Sequence, residues 1–151
     1  VRDNIIISII DTFNHLGLLN FKGLANIAKK FVKDLGIKIT NLSQKMTTMS
    51  GGNQQKIILS RCLATNPSIL LLDEPTRGID VGFKAEIYRI LEELARQNVT
   101  IIIISSELSE LMSQCNRILV MYNGKLQGRF SQEEFEEKKI VSCLMGESVC
   151  L

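Results

Sequence analysis

The stretch Ile69-Leu70-Leu71-Leu72-Asp73-Glu74-Pro75-Thr76 decides the fold. An uninterrupted apolar run this short reads as a strand buried on both faces, and it ends in two carboxylates and a proline turn. Downstream, an amphipathic helix is expected at about 83–97, with Phe83, Ile87, Ile90, Leu91 and Leu94 on its inner face. A second continuous apolar run covers residues 100–104, a short helix about 108–113, and a third strand 117–122. Strand–helix–strand–helix–strand with continuous apolar strands implies a parallel α/β sheet. Such sheets carry their sites at the carboxyl ends of the strands, which directs attention to Asp73 and Glu74.

Upstream, residues 1–48 read as helical. Asp3 is a candidate N-cap, followed at helical spacing by Ile6, Ile9, Ile10 and Phe13. A Gly/Asn-rich break at 17–23 precedes a second amphipathic helix at 24–35, and Gly36 ends that helix in the C′ position. A polar linker, 36–49, leads to Ser50-Gly51-Gly52-Asn53 and another helix, whose apolar positions are Ile58, Leu59, Cys62 and Leu63. That helix stops near Asn66-Pro67, because proline disfavours helix at the residue before it. At the other end, Asn123-Gly124 is a favoured type I′ turn pair, so 125–130 returns as a hairpin strand. Ser131-Gln132-Glu133-Glu134 is a capping box expected to open a last helix to about Met145.

The 151 residues suit one domain of ordinary size, and 45% hydrophobic with 23% charged residues is normal globular usage. The net charge of +2 gives no electrostatic case for a nucleic-acid partner. No apolar run approaches the roughly 18 residues of a membrane helix. The spacing of Cys62, Cys115, Cys143 and Cys150 fits neither a zinc site nor a redox pair, and free thiols in a reducing compartment are expected. The single histidine, His15, reads as a surface or helix-packing residue.

Two features carry chemistry. Asp73 and Glu74 end a strand: the first carboxylate suits Mg²⁺, directly or through waters, and the second can orient or deprotonate an attacking water. Taken alone, the pair reads equally well as solvated acids at a strand end. Ser50-Gly51-Gly52 opens a helix, whose free N–H groups and positive dipole end favour an anion, and glycines let backbone come close to a ligand. Alone, this reads more simply as an N-cap after a flexible turn.

Together and in order, the two features resemble the ATP-binding cassette family. Met49-Ser50-Gly51-Gly52-Asn53-Gln54-Gln55-Lys56 resembles its signature motif, Leu70 to Thr76 its Walker B strand, and Arg77-Gly78-Ile79-Asp80 its D-loop. S-G-G-N-Q-Q-K, D-E-P-T-R-G-I-D-V-G and I-S-S-E-L resemble more narrowly the second cassette of the tandem ATPases that drive import of monosaccharides of the ribose, galactose and xylose type. The resemblance covers essentially the whole chain. It implies a P-loop NTPase fold divided into a helical subdomain (1–66), the C-terminal part of a RecA-like core (67–130) and a C-terminal helix and tail (131–151).

The resemblance also implies roles. Two cassettes pair head to tail around ATP. Ser50, Gly51 and Gly52 would contact the γ-phosphate held by a partner cassette, Gln54 and Gln55 would support that end, Asn53 would join the nucleotide-binding set, and Asp80 would reach across the interface. Asp73 would hold Mg²⁺ and Glu74 would act on water at this cassette's own nucleotide. Ser106 stands where an active cassette has its switch histidine, so this half is expected to hydrolyse ATP poorly. Transmembrane permease subunits, and indirectly an extracytoplasmic sugar-binding protein, are the implied partners, with the chain peripheral on the cytoplasmic face of the membrane.

No G-x-x-x-x-G-K-[ST] occurs; Gly124-Lys125 is the nearest pair. In the family the phosphate loop lies upstream of the helical subdomain, so the chain reads as an N-terminally truncated cassette. The strand feeding that loop belongs between strands 100–104 and 117–122, and its loss would leave two open edges and a marginally stable, aggregating fragment without ATPase activity. A non-catalytic regulatory or assembly module with a degenerate cassette is the alternative. A DNA-repair or chromosome ATPase ranks last.

Overall fold

The computed structural model describes residues 1–15 and 18–147. The side chain of His15, Gly17 and Cys150 lie outside the described residues, together with what the sequence suggests for them. The chain divides into two units, Val1–Ile102 and Ile103–Leu151.

The first unit opens with α1 (Arg2–Ile6), which tightens into a 3-10 turn over Ile7–Phe13. Asp3 is not its N-cap. Val1 holds that position, and the Asp3 carboxylate pairs instead with Arg2 Nε at 2.8 Å. Arg2 N–H donates to the Leu42 carbonyl at 2.9 Å, so the first turn is anchored without a side-chain cap. Past Ile6, β-branched side chains crowd an α-helix. A period of three keeps buried Ile6 and Ile9 in line.

A small antiparallel strand pair, β1 (Asn14–His15) with β2 (Leu18–Leu19), overlaps the start of the expected break at 17–23, and the next helix starts early. α2 spans Phe21–Asp34 because Asn20 Oδ1 accepts the Gly23 N–H at 2.9 Å and caps it. Gly36 follows at φ +57°, the left-handed conformation expected of it. α3 (Gly51–Leu63) completes the helical part, which packs around Ile5, Ile6, Ile9, Leu24, Ala28 and Ile57. Arg61 ties α3 to α1, its Nε donating to the Asn4 carbonyl at 2.8 Å.

β3 (Ile69–Asp73), α4 (Val81–Arg96) and β4 (Thr100–Ile104) form a crossover unit, and β3 and β4 pair as a short parallel sheet. α4 begins before the expected 83 because Asp80 caps it. The strands are not buried on both faces. Leu70 is buried, and Leu72 faces a 40 Å³ apolar cavity lined also by Leu59, Cys62, Ile87 and Leu91. Alternate residues point the opposite way, and there Ile69 and Leu71 are 60% and 64% exposed. β4 likewise exposes Ile102 and Ile104.

The second unit contains α5 (Leu108–Gln114), the antiparallel hairpin β5 (Arg117–Tyr122) with β6 (Lys125–Ser131), and α6 (Glu137–Leu144). Among the described residues β5 pairs with β6 alone. Asn123 and Gly124 have φ of +48° and +75°, as a type I′ turn requires. Ile118, Val120 and Phe130 pack on Ile140 and Cys143. The capping box forms, but it closes only a 3-10 turn at Gln132–Glu134 and does not open the last helix. Phe135 turns extended (ψ 102°) and packs against the Ile118–Phe130 core, so α6 starts at Glu137.

Candidate functional site

Ser50 is the extended N-cap residue of α3, exposed, with a hydroxyl that does not cap the first turn. The Asn53 side chain reaches back to it: Nδ2 donates to Ser50 Oγ at 3.0 Å. Asn53 Oδ1 accepts the Lys38 N–H at 2.9 Å, so the buried amide pins the linker that precedes the helix.

The two glycines differ. A Cβ on Gly51 would touch only Ile79 Cγ2, at an ordinary 3.5 Å, and the residue is exposed. A Cβ on buried Gly52 would overlap the Phe83 ring of α4. Gly51 therefore leaves backbone open to a ligand, whereas Gly52 lets α4 approach α3. Gln54 Nε2 donates back to the Met49 carbonyl at 2.9 Å. Gln55 Nε2 donates to the Pro75 carbonyl at 2.9 Å, which joins α3 to the carboxylate turn.

Asp73 ends β3 and is exposed; Glu74 follows, half-buried, at φ +48°. A left-handed glutamate costs of order 1 kcal/mol and persists where its surroundings over-determine it. Here Pro75 is buried after it, and Arg77 N–H donates to the Glu74 carbonyl at 3.2 Å. The Thr76 hydroxyl is buried 3.4 Å from the Tyr88 hydroxyl. Asp80 is exposed; its Oδ1 accepts the Phe83 N–H at 3.1 Å. The first unit thus brings Ser50, Gly51, Gly52, Asn53, Gln54, Asp73, Glu74 and Asp80 onto two connected elements, α3 and the turn leading from β3 to α4. Ser106 belongs to the second unit, exposed on the loop after β4.

The sequence reading gave Lys56 no role of its own. It is 1% exposed, 3.0 Å from Glu86 Oε2, 3.5 Å from the Gly36 carbonyl and 5.8 Å from the centre of the Phe83 ring. A buried ammonium needs such partners. The spacing Gly52–Lys56–Ser60 hints at it, since residues four apart line one helix face. Among the described residues, no cluster of three His, Cys, Asp or Glu is arranged to hold a metal, so any ion here would rely on one carboxylate and its substrate. Cys62, Cys115 and Cys143 are free thiols, and burial pushes the Cys115 thiol upward.

Residues 5–77 match the ABC transporter family. The chain is 42% identical over 147 residues to the ribose import ATP-binding protein RbsA of Caldanaerobacter subterraneus subsp. tengcongensis, covering 97% of this chain and 30% of that protein. It is 42% identical to the xylose import ATP-binding protein XylG of Thermoanaerobacter pseudethanolicus, covering 97% of this chain and 29% of that one. The chain therefore spans about 30% of the length of the curated relatives it matches. The solved structure of the ATP-binding cassette MJ1267 superposes at a TM-score of 0.77 with 23% identity, over 94% of this chain and 61% of that one. A dimeric post-hydrolysis structure of the cassette MJ0796 bound to ADP and Pi gives 0.69 at 22% identity, over 85% of this chain and 56% of that one. In fold and in sequence along nearly its whole length, the chain belongs to the ATP-binding cassette family of ABC transporters.

Proposed function

We propose that this chain is the signature-bearing part of the ATP-binding subunit of a monosaccharide importer. In this reading it lends the start of α3 to ATP held by the phosphate loop of a partner cassette, and the closed pair drives permease subunits in the membrane. Residues 1–66 act as the helical subdomain, 67–130 as part of the catalytic core, and 131–151 as a C-terminal extension.

The observation that carries the reading is the opening of α3. An exposed serine hydroxyl and an exposed glycine sit at a helix N-terminus whose first turn has no side-chain cap. That end offers N–H donors and a positive dipole to a phosphate. The names of the relatives support the sugar and the importer. No described helix is long and apolar enough to cross a membrane, which agrees with separate permease subunits.

At the other end of the same layout, Asp73 presents the hard oxygen donors that Mg²⁺ prefers, with the remaining ligands coming from water and phosphate. The ion, when bound, would neutralise phosphate charge. Glu74 is held beside it as the group that orients or deprotonates water. Ser106, short and uncharged, stands where the family has its switch histidine, so in this reading the partner's site carries most of the hydrolysis.

The test is Ser50→Arg in the assembled transporter. A bulky cation at the α3 N-terminus should abolish sugar uptake and nucleotide-driven closure. Uptake at the wild-type rate would refute the reading.

A further inference from the structure

We propose that Asn53 is a positioning residue that keeps the Ser50 hydroxyl available as a hydrogen-bond donor; this deepens the reading of Ser50 as a phosphate contact and rests on it. The polarity of the contacts carries the inference. A backbone N–H can only donate, so the atom of the Asn53 amide facing Lys38 N at 2.9 Å is the carbonyl oxygen. The amide nitrogen must then face Ser50, at 3.0 Å. That nitrogen carries only protons and cannot accept, so Ser50 Oγ is the acceptor of this bond.

Two consequences follow for the serine. Its oxygen is fixed by a buried neighbour, since Asn53 is 7% exposed. Its own proton is directed away from Asn53, toward the solvent side of the helix N-terminus. An N-cap serine ordinarily accepts from the first turn, and a carboxylate at the third helical position ordinarily accepts from the cap. Here the third helical residue is an amide that donates. The result is a hydroxyl fixed in place with a proton to offer, which suits a phosphate oxygen. The Lys38 contact extends the device to the linker: moving that strand of chain would release the amide and with it the hydroxyl.

The experiment compares Ser50→Ala, Asn53→Asp and the double variant in the assembled transporter, reading MgATP hydrolysis (kcat and KM) and sugar uptake. Aspartate keeps an oxygen for the Lys38 N–H but takes the Ser50 proton. Loss of a charged hydrogen bond should cost roughly 10- to 100-fold in kcat/KM for either single variant. Because Asn53 acts through Ser50, the double variant should be no worse than the worse single one. Full activity of Ser50→Ala would defeat the phosphate-contact reading itself. An impaired Ser50→Ala beside an active Asn53→Asp would overturn only the role of Asn53, as would losses that multiply in the double variant. Asn53→Gln, which retains a donating amide, is the second variant; it should keep at least about a third of the wild-type rate, and a loss as deep as that of Asn53→Asp overturns the role. Melting temperatures of all variants accompany the rates, so that a misfolded protein is recognised and excluded.

Discussion

Gln55 Nε2 donates to the carbonyl of Pro75 at 2.9 Å, so the helix that begins after Ser50 is tied directly to the turn that carries Glu74. The bond is partly buried and joins residues twenty apart in sequence. It braces a glutamate in a left-handed conformation, next to a proline whose carbonyl has this amide as a donor. Gln55→Leu preserves bulk and removes the donor. It should cost about 1 kcal/mol in urea unfolding of the chain. In an assembled transporter whose partner site has been inactivated, so that only the residual hydrolysis assigned to Glu74 is read, kcat should fall while KM for MgATP stays nearly constant, because the turn is misplaced and phosphate contacts are not. An unchanged kcat would show that the Gln55 bond is not needed to place Glu74.

The two glycines of the α3 opening should separate in experiment. Gly52→Ala drives a methyl into the Phe83 ring, and overpacking of this kind costs typically 1–3 kcal/mol. Gly51→Ala meets ordinary contact only and gains helix propensity, so stability should stay level or rise by up to about 1 kcal/mol. Its effect should appear as weakened transport, through crowding of the phosphate approach. Thermal melts and uptake assays on the pair check both halves. Equal destabilisation by the two variants would contradict the packing described for Phe83.

How far the chain could be read from its sequence depends on the range of the interactions. The α/β arrangement was legible because continuous apolar runs and helical periodicity are local signals. The positive φ of Gly36, Asn123 and Gly124 was legible for the same reason, since turn chemistry is written in adjacent residues. Ser50 and Glu74 stand out as candidates through motif order. Their supports were not, because Lys38, Pro75 and Phe83 reach α3 only after folding. Lys56 shows the limit well: a lysine in a polar run reads as solvated, yet it is enclosed by Glu86, Phe83 and the Gly36 carbonyl. Asp3 failed as a cap because a backbone bond to Leu42 had already fixed the first turn. The exposed faces of β3 and β4 escaped notice because apolar runs tell that burial is sought, not that a neighbour supplies it.

Those faces lead to a prediction about solution behaviour. Ile69, Leu71 and Ile102 are each about half exposed or more, on strands whose apolar side chains would gain from any cover. The isolated chain should self-associate at micromolar concentration, through this surface. Leu71→Lys removes a large exposed side chain and adds charge, and should shift light scattering strongly toward monomer. The isolated chain should also lack ATPase activity. A monodisperse wild-type chain, with Leu71→Lys no different, would show that the exposed strand residues do not attract one another.

The last prediction concerns pH at the Ser131–Glu134 box. The Ser131 hydroxyl, and then the Ser131 N–H, donate to the Glu134 carboxylate at 2.6 and 2.8 Å and hold its pKa below the usual carboxylate range; Lys139 adds a smaller effect in the same direction. Because the folded pKa is lowered, the stabilisation is fully present above the ordinary carboxylate pKa and disappears as pH falls through the lowered one. Glu134 is fully exposed, so the effect is local: the 3-10 turn at Gln132–Glu134 should fray in acid while the Ile118–Phe130–Ile140 core stays packed. An NMR titration of the Glu134 side chain should place its midpoint below the usual carboxylate range. Ser131→Ala removes the larger cause and should move the midpoint upward, leaving the part due to the backbone donor. A midpoint unmoved by that substitution would assign the whole effect to the backbone donor and Lys139, and the hydroxyl would have no part in it.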